Sequence, residues 1–289
     1  MVFLETSANP YVTELGDPDS GSSRLNFSQS FNGLGSLSAT FIIGQFLFDG
    51  TDKGGNIVIP YTVLGIVVLG IAIVFSRVDL PEIKHQETEE DLSHGTRIMK
   101  LFRHHPMFVF GLLALLAYEV AEISINSYFI NYVTGKGWMT DNTASIVLTG
   151  ALALFMLGRF AGSWIMRQVK AERMLLWCAI GSVICIGLVM LNLGTISMVA
   201  LVCNYACEAI MFPTIFSLAL RGLGNLTKSA SSLLMMTPIG GCGFLLMGLI
   251  ADSTGMMSMP YIIPFIGFFV VLMYASELTR GRKNHVLTL

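Results

Sequence analysis

Leu4-Glu5-Thr6-Ser7-Ala8-Asn9-Pro10-Tyr11, followed after a short polar turn by Arg24-Leu25-Asn26-Phe27-Ser28-Gln29-Ser30-Phe31-Asn32-Gly33, sets a carboxylate, amides and a proline inside apolar runs of helical length. A charge at bilayer depth costs at least about 2.5 kcal/mol on insertion scales, so Glu5 needs a compensating role or a bound proton. A wet internal cavity is the expected setting. Glu5 and Asn9 stand four apart on one helical face, and Gln29 and Asn32 three apart on the next, so two polar stripes can line one cavity. The plainer alternative is that these amides only bond neighbouring helices.

A mean hydropathy of +0.68, with 53% hydrophobic and 12% charged residues, marks an all-α polytopic membrane protein. The net charge of -2 comes with no basic domain, so nucleic acid is not an expected partner. Cys178, Cys185, Cys203, Cys207 and Cys242 all fall in apolar segments without a CxxC pattern and read as small buried residues. Met1 opens onto Val2-Phe3-Leu4-Glu5 with no basic region or cleavage site, so no secretory signal is expected.

Nine apolar segments are expected, at about 1–15, 25–48, 57–76, 106–134, 142–168, 172–192, 196–221, 229–251 and 260–278. Basic residues accumulate on the cytoplasmic side of membranes. Placing the carboxyl terminus and the central linker inside puts 15 of the 17 lysines and arginines there and leaves only Lys53 and Lys136 outside. The hydrophilic stretch 77–105 then divides 1–76, a three-helix bundle, from 106–289, a six-helix bundle. Its first part, with Glu82, Glu87, Glu89, Glu90 and Asp91, reads as a solvated linker. In Thr96 to Arg103 the basic residues recur every third position around Ile98, Leu101 and Phe102, which suits a helix on an anionic membrane surface.

The two bundles also echo each other. Glu5 precedes Pro10 by five positions, and Glu208 precedes Pro213 by five; a base opens the next helix at Arg24 and at Lys228. Bundles related by an axis along the membrane normal produce such a pattern, which pairs 1–76 with 196–278 and leaves 106–192 without a counterpart.

The opening stretch resembles the fourth and fifth helices of the fucose permease and glucose/galactose permease family of the major facilitator superfamily. That resemblance implies a twelve-helix fold lacking its first three helices here, and a proton-coupled sugar importer in a plasma membrane, with a bacterial inner membrane expected. It places the family's protonatable glutamate at Glu5 and amides near the sugar at Gln29 and Asn32. Sugar hydroxyls donate and accept together, and carboxylate and amide groups answer them pairwise. The family's second essential acid, an aspartate of the first helix, has no counterpart in this chain. A non-transporting remnant or a mis-started gene product is therefore the competing expectation.

Tyr118-Glu119-Val120-Ala121-Glu122-Ile123-Ser124-Ile125-Asn126 adds Glu122 and Asn126, four apart, as substrate-binding candidates beside Asn9, with Glu119 as a second-tier one. This segment is more similar to the glucose/galactose branch, so a hexose is expected, with fucose or an amino sugar as alternatives. Gly158-Arg159-Phe160-Ala161-Gly162-Ser163-Trp164 is similar to the family's GRFxGxW signature; Gly158 and Gly162 let helices approach closely, and gating and packing are the expected work of this run with Arg159. Pro213, Gly240 and Gly241 are expected bends, and Glu208 is a second-tier candidate one turn before the first of them. The expected coupling ion is the proton, carried by Glu5, and the expected state is a monomer with a sugar and the lipid bilayer as its partners. Four histidines in the linker and one in the tail form no metal-ligand pattern, and no nucleophile motif or phosphate loop appears. Neither a metal, a cofactor nor an enzymatic activity is expected.

Overall fold

In the computed structural model the described residues are 2–48, 58–78, 94–135 and 137–287, and every regular element among them is helical. The helices are α1 (Val2–Glu14), α2 (Gly21–Phe48), α3 (Val58–Phe75), α4 (His94–His104), α5 (Pro106–Gly135), α6 (Asp141–Ile165), α7 (Ala171–Met190), α8 (Thr195–Glu208), α9 (Met211–Leu220), α10 (Thr227–Leu234), α11 (Gly243–Thr254) and α12 (Ile262–Leu287). Six helical stretches among the described residues are long and apolar enough to cross a membrane, all between Pro106 and Arg280. Lys53, Lys136 and the acidic part of the linker lie outside the described residues.

By proximity the chain groups into two units, residues 1–29 with 85–289, and residues 30–84. The division expected at residue 76 differs from this grouping, because hydrogen bonds tie α1 and the first turns of α2 to α6, α9 and α10. The second unit holds the rest of α2 and α3. From Tyr61 to Val78 every side chain of that unit is exposed, on an apolar helix.

The larger unit packs by close backbone approach, as helices do where lipid offers apolar groups no hydrophobic penalty. A Cβ at Gly267 of α12 would lie 2.6 Å from the Ala117 carbonyl of α5, and one at Gly111 of α5 would lie 2.9 Å from the Tyr274 hydroxyl. Tyrosines fill the space between: Tyr132 meets Tyr261 at 4.9 Å and Trp138 at 5.3 Å, edge to face, as aromatic quadrupoles favour. Turns follow local chemistry. Thr140 caps α6 by accepting from the Thr143 amide, and Gly255 ends α11 at φ 65°, where a Cβ would be strained.

Two segments expected as single helices are broken. The run 196–221 stops after Glu208 and resumes at Met211, because Pro213 has no N–H for the Ala209 carbonyl and its ring presses on it. The run 229–251 passes through a 3-10 stretch, Thr237–Cys242, that contains Gly240 and Gly241. Helix α4 buries Leu101 and exposes Met99, Lys100, Phe102 and Arg103, an amphipathic arrangement.

Candidate functional site

Pro10 lies inside α1, so the carbonyl of Thr6 has no amide one turn later. The hydroxyl of Ser231 on α10 donates to it at 3.2 Å, which docks α1 on the second bundle. Asn9, on the same helix, is 4% exposed; its Oδ1 accepts from Gln29 Nε2 at 2.9 Å, and its Nδ2 faces the Met235 sulfur at 3.7 Å. Glu5 sits one turn earlier and is only partly buried. The end of α1 leaves carbonyls that Arg24 collects: Nε donates to Val12 O at 3.2 Å and Nη2 to Thr13 O at 2.8 Å, where a cation is favoured by the helix dipole.

Below this turn, small polar side chains join α2 to the second bundle. Ser22 and Ser217 hydroxyls meet at 2.5 Å. Ser23 and Ser163 exchange hydroxyl-to-carbonyl bonds at 2.7 and 2.8 Å, and Asn26 Nδ2 donates to Thr214 Oγ1 at 3.0 Å. Such contacts let helices close without bulky side chains, and each can be exchanged for water.

Arg159 is 8% exposed and reaches in two directions. Its Nε donates at 3.0 Å to Ala209 O, the carbonyl released by Pro213, and its Nη1 donates at 3.4 Å to Gln29 O on α2. The guanidinium lies 4.5 Å over the Phe155 ring. The flanking glycines make room: a Cβ at Gly158 would stand 2.9 Å from Ala209 Cβ, and one at Gly162 would collide with Ile210 Cγ2. Gly240 packs on α5, where a Cβ would meet Val120 at 2.9 Å, and a Cβ at Gly241 would meet Ile123 at 3.0 Å.

Acids surround the guanidinium. The charges acting on Glu119, itself 7% exposed, are Glu122, Arg159 and Glu5. Glu122 lies beside Tyr118, whose hydroxyl donates to Glu208 O at 3.1 Å. Glu208 is fully buried and accepts from Asn204 Nδ2 at 2.8 Å. Asn126, one turn after Glu122, has an amide oxygen buried without a partner. Asn32 is exposed on α2 in the second unit.

The arrangement thus gathers Glu5, Asn9, Gln29, Glu119, Glu122, Glu208 and Arg159 in one unit. Sequence reading missed Tyr118, Asn204, Ser231 and the serines of α2. Asn204 stood one turn before Glu208 and was findable by its spacing, whereas serines in apolar helices carry no signal until a partner is seen. Among the described residues, no group of three or more histidine, cysteine, aspartate or glutamate side chains could hold a metal ion.

The family profile of the Major Facilitator Superfamily matches residues 2–241. The chain is 30% identical to the L-fucose-proton symporter of Escherichia coli, covering 97% of this chain and 70% of that protein. It is equally 30% identical to the glucose/galactose transporter of Brucella abortus, with 95% and 68% covered. Among solved structures it is similar to the transporter FucP in the outward conformation, at a TM-score of 0.84 and 28% identity, covering 94% of this chain and 72% of that one.

Proposed function

The chain belongs to the Major Facilitator Superfamily, and from that premise we propose that it moves a hexose of the glucose/galactose type together with a proton by alternating access. The observation that carries the reading is the partly exposed Glu5 one turn from the buried Asn9–Gln29 pair, with the Glu119 carboxyl of α5 within its electrostatic reach. Glu5 holds the coupling proton. Asn9, Gln29, Glu122 and Asn126 receive sugar hydroxyls as paired donors and acceptors. No cofactor beyond the proton enters this scheme.

The serine contacts between α2 and helices α6 and α9 act as the inner gate. They close in the present arrangement, in keeping with the likeness to an outward-conformation transporter, and part when the sugar is released. With the carboxyl terminus on the cytoplasmic side of a bacterial inner membrane, Ser22, Ser23, Ser163 and Ser217 lie at the cytoplasmic ends of their helices. A monomer suffices for this cycle.

The test is uptake of labelled galactose, glucose and fucose into proteoliposomes holding the 289-residue chain, with and without an imposed proton gradient. Gradient-driven accumulation of a hexose is expected, together with its loss in Glu5→Gln while sugar-for-sugar exchange continues. Accumulation by Glu5→Gln equal to that of the parent removes the proton role, and no uptake or exchange of any of the three sugars removes the transport reading.

A further inference from the structure

Glu208 is 0% exposed, at the end of α8, and its two carboxylate oxygens are unequally served. Oε2 accepts from Asn204, whereas Oε1 is buried without a partner, as is the Asn204 amide oxygen. The neighbouring donor, the Tyr118 hydroxyl, is committed to the backbone carbonyl of Glu208 and not to its carboxylate. Among the described residues, the one cation acting on Glu208, Glu122 and Glu119 is Arg159, and two of its five N–H groups are held by the carbonyls of Ala209 and Gln29. One positive charge beside the buried Glu119 and Glu208 and the partly buried Glu122 cannot balance three carboxylates in a medium of low dielectric constant. A neutral acid solves both difficulties, because its O–H supplies the donor that the orphaned oxygens lack. The Glu208 carboxyl is closed off from solvent, and a proton is the ligand that fits there.

We propose that Glu208 is a second proton-carrying carboxyl, seated in the six-helix bundle apart from Glu5, and that Arg159 becomes its counter-ion when the contact to Gln29 on α2 is broken. The groups that face it are Tyr118 and Glu122 from α5, Arg159 from α6, Cys185 of α7 through Cys207, and Tyr205 of its own helix. Helix α9 presents no titratable side chain. When α2 moves away, the guanidinium is freed from one of its two carbonyls and water reaches the acid. The O–H bond of Glu208 then breaks, the proton passes to that water, and the carboxylate left behind pairs with Arg159. The role in the transport cycle rests on the function proposed above; the proton itself does not.

The test is infrared difference spectroscopy of the sugar-free chain in detergent, stepped from neutral to alkaline conditions. The carbonyl stretch of a neutral carboxylic acid is expected at neutral pH. One component of it is lost in Glu208→Gln and kept in Glu5→Gln, and an unbuffered sample of Glu208→Gln releases one proton fewer on the alkaline step. Thermal unfolding of Glu208→Gln matches that of the parent at neutral pH, since the amide replaces a neutral acid of the same shape. An unchanged band in Glu208→Gln, or an unchanged proton count, overturns the assignment whether or not sugar is transported. Conversely, loss of the band in a chain that moves no sugar upholds the assignment and removes only the transport reading.

Discussion

The segments around Pro10 and Pro213 start from the same pattern, an acid five residues before a proline, and reach opposite ends. Helix α1 runs on through Pro10, its released carbonyl meets the neutral hydroxyl of Ser231, and its acid stays partly exposed. Around Pro213 the helix breaks after Glu208, the released carbonyl meets the charged Arg159, and the acid is fully buried. A proline therefore does not decide the local structure by itself. It creates an acceptor, and the group that packing brings to that acceptor decides whether the place becomes a docking contact or a charged hub.

The strongest way to break the comparison is to remove the hub. Arg159→Leu strands the Ala209 carbonyl in a buried place and leaves the three acids without a cation, and should cost about 3 kcal/mol or more. A thermal unfolding midpoint in detergent close to that of the parent would show that the guanidinium contributes little. Crowding the hub is the next lever: Gly162→Ala drives a methyl into Ile210 and should cost about 1–3 kcal/mol, with Gly158→Ala milder because its Cβ would meet Ala209 Cβ at 2.9 Å. If the two substitutions unfold at the same temperature, the tighter contact at Gly162 is not felt.

The docking contact calls for a finer measurement. Ser231→Ala should cost about 1 kcal/mol in the parent chain, the net worth of an ordinary hydrogen bond. In a Pro10→Ala background the same change should cost close to nothing, because the new amide at position 10 takes the Thr6 carbonyl. Equal costs in the two backgrounds would mean that the proline is not what makes the acceptor available. Such a double-mutant cycle isolates the coupling between the two sites.

Much of the fold was legible because membrane helices announce themselves by length and apolarity, and the bends by proline and glycine. Near Pro213 the helix is interrupted on the amino side, at the carbonyl the proline releases. Less of the site was legible. Glu5, Asn9 and Gln29 were visible as polar residues in apolar runs, yet nothing local could say that Asn9 and Gln29 bond each other rather than stand open. Arg159 was read as a gating residue of a packing motif, and its place among Glu119, Glu122 and Glu208 emerged only when α5, α6 and α8 were assembled. The grouping of residues 1–29 with the second bundle was likewise hidden, because it rests on serine pairs 140 and 195 residues apart.

By itself the amino-acid order determined where helices form, which residues interrupt them and which carboxylates stand inside apolar helical runs, since those depend on hydropathy, backbone geometry and the absence of an amide on proline. Tertiary structure alone decided the partner of each released carbonyl and the company of each acid. Ala209 and Arg159 are 50 residues apart and Thr6 and Ser231 are 225 apart, and a hydrogen bond of about 3 Å depends on position in space, to which spacing along the chain is blind.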